Sequence, residues 1–307
     1  LMRADKRFVN RGVRLERAAR IAPGKFVAPG SMIPLLESVI ECGDIVCLEG
    51  DNQKQADFLS ECLAGMDPAR VNGLHMVLST ISLGAQLDIF EKGIAEAVDF
   101  SYCGLQGMRM ARLAISGKIK IGNIHTYLEL YGRYFTDLSP NVCCIAAEAA
   151  DRDGNLYTGD NTEDTPVVVE AAAFKSGVVI AQVNRVSDSI PRVDVPAGWV
   201  DFICESPRPF HLEPLFTRDP AQITEPVILM AMLAMKGIYA RYLPRSLNHG
   251  VGFNTAAIEL MLPTYGAELG LKGNACLHWM LNPHPTMIPA IEEGFVKTIY
   301  TVGSEVG

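Results

Sequence analysis

The chain has 307 residues, 49% of them hydrophobic and 20% charged, with a formal net charge of −8. This composition belongs to a folded protein with a large core, and no clustered basic stripe offsets the acidic balance, which argues against nucleic-acid binding. No apolar run reaches the length needed to span a bilayer, and the start, Leu1-Met2-Arg3-Ala4-Asp5-Lys6, has no apolar signal region.

In chain order, a basic arm from Lys6 to Arg20 leads through Pro23-Gly24 and Pro29-Gly30-Ser31 into a helix predicted over Met32 to Glu41. Near-continuous apolar runs predict strands at Ile45–Leu48, Leu74–Leu78, Ala97–Phe100, Val142–Ala147, Val178–Val183 and Val200–Cys204. Such runs are expected where helices cover both faces of a sheet. Helical stretches fall between several of them, at Ala56–Leu63, Leu87–Ala95 and Gly107–Ser116. Asp151-Arg152-Asp153-Gly154-Asn155 reads as a hairpin turn with a glycine at positive φ. The fold class is α/β with an open, mostly parallel sheet.

Phe210 to Pro226, rich in proline and polar residues, is the linker candidate, followed by a long helix from Val227 to Tyr239. The expected division is 1–225 for a first α/β domain and 226–307 for the linker helix and the start of a second. About 80 residues after the linker are too few to repeat the first half, given typical domains of ~100–150 residues. The chain is therefore expected to be a fragment with an incomplete second domain. Eight cysteines without a CxxC pair are expected to be reduced core residues of a cytoplasmic protein. His278 and His284, with Pro283 between them, have poor metal-ligand spacing, so no metal is expected.

Two glycine turns carry the chemistry. Each is expected to end an apolar strand and open an amphipathic helix: Gly50-Asp51-Asn52-Gln53 after Ile45–Leu48, and Gly250-Val251-Gly252-Phe253-Asn254 before a helix at Ala256–Met261. Glycine lets backbone N–H groups approach a ligand, and the helix start adds a positive dipole end. Such a turn suits a phosphate, a carboxylate or the oxyanion of acyl transfer. A pair of them suggests a bipartite site between duplicated halves.

The order Asp153-Gly154-Asn155, Val179 to Asn184, Ile190-Pro191-Arg192 and Val200-Asp201 resembles the acyl-CoA transferase and hydrolase superfamily. More closely, Gly250 to Glu259 and Leu277 to Thr286, followed by Ile288 to Glu292, resemble the alpha-subunit family of malonate decarboxylase. The resemblance runs over essentially the whole chain. It implies a CoA-transferase-like fold with a second, pseudo-repeated domain. It also implies a transferase that exchanges acetyl for malonyl on an acyl-carrier-protein thioester, releasing acetate. The partners implied are the carrier subunit and the other decarboxylase subunits. No cofactor is bound directly; the carrier brings a phosphopantetheine-type arm derived from dephospho-CoA.

Within that reading, the backbone of Gly250, Val251 and Gly252 is the candidate oxyanion hole. Gly50, Asp51, Asn52, Gln53, Phe253, Asn254, Asn282 and His284 are candidate substrate-binding residues. Asn282-Pro283-His284-Pro285 is a rigid polar turn suited to a carboxylate. Gln106-Gly107-Met108-Arg109, Arg185 and Arg192 are candidate anion partners. CoA transferases use a glutamate nucleophile in a segment that here reads His278-Trp279-Met280-Leu281-Asn282, which has no glutamate. Glu259, Glu268, Glu292 and Glu293 read as solvated helix charges. Direct attack by the substrate carboxylate is thus the expected mechanism. An acyl-CoA transferase or hydrolase with a glutamyl intermediate, and a non-catalytic ligand-binding domain, remain alternatives.

Overall fold

The computed structural model describes residues 11–50, 54–159, 164–211, 220–250, 252–280 and 285–300. It divides into two units, Leu1–His211 and Leu212–Gly307, and the division falls inside the polar segment from Phe210 to Pro226. Among the described residues, no helix is long and apolar enough to cross a membrane.

The first unit holds eight strands: β1 (Ile45–Leu48), β2 (Leu74–Ile81), β3 (Ala95–Cys103), β4 (Lys120–Ile124), β5 (Val142–Asp151), β6 (Leu156–Tyr157), β7 (Val178–Ser187) and β8 (Phe202–Glu205). Seven are parallel in the order β4-β3-β2-β1-β5-β7-β8, and β6 pairs antiparallel with β5. The apolar runs are explained by two cores. Val46, Leu48, Val142, Cys144 and Ala146 face one of them. Their neighbours Ile45, Cys47, Cys143, Ile145 and Ala147 face the other, as the two-residue period of a strand requires. Helices α2 (Met32–Val39), α3 (Asp57–Ala64), α4 (Gly84–Glu91) and α5 (Gly107–Ile115) cover the first core, and α6 (Tyr127–Tyr134) and α7 (Thr165–Phe174) cover the second.

Several boundaries differ from expectation for local reasons. The basic arm becomes helix α1 (Arg11–Ala18), tied down by the buried Arg14, whose guanidinium reaches both oxygens of Asp44 at 2.5 and 3.0 Å. The helix expected to reach Ala95 stops at Glu91, because Gly93 takes a φ of 77° and Ala95 already opens β3. Strand β4 and helices α6 and α7 add to the elements that the apolar runs predict. The sequence did mark both helix starts: Thr126 accepts from the Glu129 N–H at 3.2 Å as an N-cap, and Pro166 sits in the first turn of α7.

The hairpin at Asp151–Asn155 is present between β5 and β6, with Gly154 at φ 93°. Asp151 accepts from the Gly154 and Asn155 N–H groups, both at 2.8 Å. Burial alone would raise its pKa, but these bonds and the Asn155 amide outweigh it and hold it below the ordinary value. The depressed carboxylate contributes stability that is present above the ordinary pKa of about 3.9 and lost as pH falls through the lower folded value. Asp151→Asn should therefore flatten that acid limb in urea titrations at pH 3 and pH 7. An unchanged pH dependence would show that Asp151 does not carry it.

The second unit has three short parallel strands, β9 (Ser246–Asn248), β10 (His278–Met280) and β11 (Thr298–Tyr300), in the order β11-β10-β9. A helix from Glu225 to Ala234 continues through a π-turn, Met235–Tyr239, to Tyr242. Met235, Leu262, Trp279 and Phe295 anchor its core.

Candidate functional site

In the first unit the strand order reverses between β1 and β5, and in open α/β sheets the carboxyl ends of strands at such a point form the ligand crevice. Gly50 lies there. It is buried, and a Cβ on it would fall 2.5 Å from Gln86 Nε2 and 2.6 Å from the Thr80 carbonyl oxygen, so only glycine fits. The loop closes by an antiparallel bridge between Gly50 and Gln55, and α3 starts only at Asp57. The first turn therefore does not open its helix directly. That helix is also not amphipathic: of its eight residues only Glu61 lacks burial. Asp51, Asn52 and Gln53 lie outside the described residues.

Beneath the loop sits a polar cluster that sequence reasoning did not identify. The Glu49 N–H donates to the Cys144 carbonyl at 2.8 Å, continuing the β1–β5 ladder. The next ladder position would use the Glu49 carbonyl, but that oxygen accepts from Ala56 N at 3.0 Å. The Glu49 carboxylate replaces it, accepting the Ala146 N–H at 2.7 Å. Lys54 Nζ is 3.3 Å from Glu49 Oε1 and donates to Thr165 Oγ1 at 2.5 Å, with both charged side chains fully buried. Thr165 Oγ1 in turn donates to Glu49. Burial pushes the Glu49 carboxyl above its ordinary value, against the opposing pull of Lys54. Asp164, also raised by burial, accepts from the Tyr131 hydroxyl. Gln86 extends the frame, accepting from the N–H groups of Ser82 and Leu83 at 2.8 and 2.9 Å and donating to Gln55 Oε1 at 3.2 Å. A buried network of this kind braces the end of β1 that carries Gly50.

In the second unit Gly252 is the N-cap of the helix Phe253–Met261 and adopts φ 146°, ψ 163°. L side chains rarely adopt that conformation, although a Cβ there would have no atom within 4 Å. The turn thus leads straight into its helix, earlier than the Ala256 start expected. Gly250 is exposed, Phe253 half-buried and Asn254 exposed in the first helical turn. Thr255 Oγ1 donates to the carbonyls of Gly250 and Gly252 at 2.8 and 2.9 Å, bracing the turn. Val251, Asn282 and His284 lie outside the described residues.

Glu259 corrects the sequence reading. It is fully buried, not solvated: Oε1 is 3.0 Å from His249 Nδ1, and Oε2 accepts from the Thr286 hydroxyl. His249 Nε2 lies 2.9 Å from the Tyr239 hydroxyl, and its ring packs on Trp279 with centroids 4.6 Å apart. Burial pushes the Tyr239 phenol up to about 12. This Tyr–His–Glu–Thr chain ties the residue preceding Gly250 to the helix behind it. Glu268, Glu292 and Glu293 are exposed, as expected.

The three candidate arginines are engaged elsewhere. Arg109 bridges Asp88 and Glu91, Arg185 meets Glu148 at 2.8 Å, and Arg192 meets Asp194 at 2.7 Å while lying over the Tyr157 ring. Six of the eight free cysteines are buried, while Cys42 is exposed and Cys103 half-buried. Among the described residues no group of three or more His, Cys, Asp or Glu is placed to hold a metal ion.

Comparison with known proteins places this architecture. The profile described as malonate decarboxylase, alpha subunit, transporter matches residues 4–307. The acetyl-S-ACP:malonate ACP transferase of Malonomonas rubra is 56% identical over 304 residues, covering 99% of this chain and 55% of that protein. The chain thus spans about half the length of this relative. A crystal structure of a Pseudomonas malonate decarboxylase hetero-tetramer in complex with malonate matches at TM-score 0.82 and 53% identity, covering 98% of this chain and 56% of that one. An acyl-CoA transferase from E. coli O157:H7, at 15% identity and TM-score 0.53 over 78% of this chain and 62% of its own, shares the fold alone. By profile and by sequence, the chain belongs to the malonate decarboxylase alpha-subunit family.

Proposed function

We propose that the subunit containing this chain exchanges acetyl for malonyl on a carrier-protein thioester: acetyl-carrier and malonate give malonyl-carrier and acetate. The observation that carries the reading is the Gly252 turn, held at φ 146° at a helix start in a member of this family. It is suited to presenting backbone N–H groups to a thioester oxyanion. In this reading the carrier brings the reacting thiol on a phosphopantetheine-type arm.

A malonate carboxylate attacks the acetyl carbonyl and expels the carrier thiolate, leaving an acetyl–malonyl anhydride. The thiolate then attacks the malonyl carbonyl and releases acetate. No protein nucleophile is needed, so positioning and electrostatics supply the catalysis. The burial of Glu259 supports this route, since both of its oxygens are occupied by His249 and Thr286.

The test uses the full-length subunit with acetylated carrier and labelled malonate. Exchange without a protein adduct, probed by hydroxylamine and borohydride, is the expected result. A stoichiometric glutamyl adduct would favour the CoA-transferase mechanism, and no exchange at all would favour a ligand-binding role.

A further inference from the structure

The exchange chemistry makes no direct use of His249, yet this buried side chain is held by three elements of the second unit. It directly follows β9, and its ring meets Tyr239 of the π-turn, Trp279 of β10 and Glu259 of the helix Phe253–Met261. Glu259 accepts at both oxygens, from Thr286 at Oε2 and from His249 at Oε1. The ring proton therefore sits on Nδ1, and Nε2 is left to accept from the Tyr239 hydroxyl at 2.9 Å.

An apolar residue of similar volume would pack on Trp279 without desolvating a carboxylate. What the polar chain adds is direction. Apolar contact is non-directional, whereas bonds at Nδ1 and Nε2 fix the ring and the backbone that carries it. That backbone leads straight into the second glycine turn. Gly250 and Gly252 have no side chains to pack, and a Cβ at either would have no atom within 4 Å. The turn is therefore held from its flanks. His249 holds the entry, and on the exit side the Thr255 hydroxyl donates to the Gly250 and Gly252 carbonyls at 2.8 and 2.9 Å. Glu259 joins the two flanks, because it lies one helical turn beyond Thr255 on the same helix.

Resting on the transferase reading, we propose that His249 is a positioning residue: fastened to Glu259, it aims the turn that carries Gly250 and Gly252 at the thioester oxygen. Misplacing a catalytic group by about 1 Å can cost ~100-fold in rate. The oxyanion exists only in the transition state, so loosening this fastening lowers turnover and leaves malonate binding in place.

The test compares kcat and KM for malonate in variants of the full-length subunit. Asparagine carries its amide nitrogen where His249 has Nδ1, and glutamine carries it where the ring has Nε2. Both lose the ring packed on Trp279, so the pair differs chiefly in whether the link to Glu259 is kept. His249→Gln should lower kcat about tenfold or more with KM within about twofold, and His249→Asn should recover most of that loss. Thr255→Val should lower kcat in the same way, and Thr255→Ser should restore it. Thr255 is only half-buried, so this second pair decides the matter where a His249 variant fails to fold. Melting temperatures of the same samples separate turnover from stability. Wild-type kcat in His249→Gln and Thr255→Val would overturn the assignment. So would exchange in His249→Asn no better than in His249→Gln, with both losses following the melting temperatures. An active wild type with unaffected variants sinks the assignment alone, whereas a wild type without exchange sinks the transferase reading and the assignment with it.

Discussion

Replacing Gly252 by valine in the full-length subunit should cut acetyl–malonyl exchange by at least ~100-fold, the scale of losing one oxyanion-hole donor. The reason is conformational. Gly252 sits at φ 146°, and a residue held in such a region costs about 1–3 kcal/mol. No atom lies within 4 Å of a Cβ there, so valine meets no wall. It relaxes the strain by rotating the backbone, which turns the N–H groups of the turn away from the position the thioester oxygen is proposed to take. Folding should survive, because the helix behind is anchored by buried Ala256, Ala257, Ile258 and Glu259. Circular dichroism and exchange rates on the same preparation check both halves. Near-normal exchange in a folded Gly252→Val protein would reduce the turn to a structural corner.

Replacing Lys54 by methionine should destabilise the first unit by about 3–5 kcal/mol, the cost of leaving a buried charge without its partner. Lys54 and Glu49 are both fully enclosed and 3.3 Å apart, and no solvent is there to screen Glu49 once the ammonium is gone. The double variant Lys54→Met/Glu49→Gln should recover most of the loss, since it removes both charges while keeping an acceptor for the Ala146 N–H. Urea denaturation of the three variants against the wild type measures the coupling. Additive losses would mean that the two residues stabilise the unit independently.

The candidate site was only partly legible in the sequence. Both glycine turns could be found, because glycine is a local signal, but only Gly50 follows an apolar strand. Gly250 follows the polar, largely exposed strand Ser246–Asn248 and His249. The cluster beneath Gly50 could not, because Glu49 reaches Ala146 across 97 residues and Lys54 reaches Thr165 across 111. The same holds for Glu259: on a helical wheel it looks like an ordinary surface charge, and only the approach of His249 and Thr286 buries it. Residue type alone makes Arg109, Arg185 and Arg192 candidate anion partners, and each meets a carboxylate of its own unit.

What the sequence determined by itself is the parallel α/β sheet, the hairpin at Gly154, the absence of a glutamate in His278–Asn282 and the family resemblance. These depend on residue type and short-range period, which the chain states directly. The tertiary structure alone decided where the strand order reverses, which polar side chains lose water, and that β4 lies at a sheet edge. Each of these depends on which distant segments meet. The cost of burying a charge is set by its neighbours in space, and no local pattern encodes them.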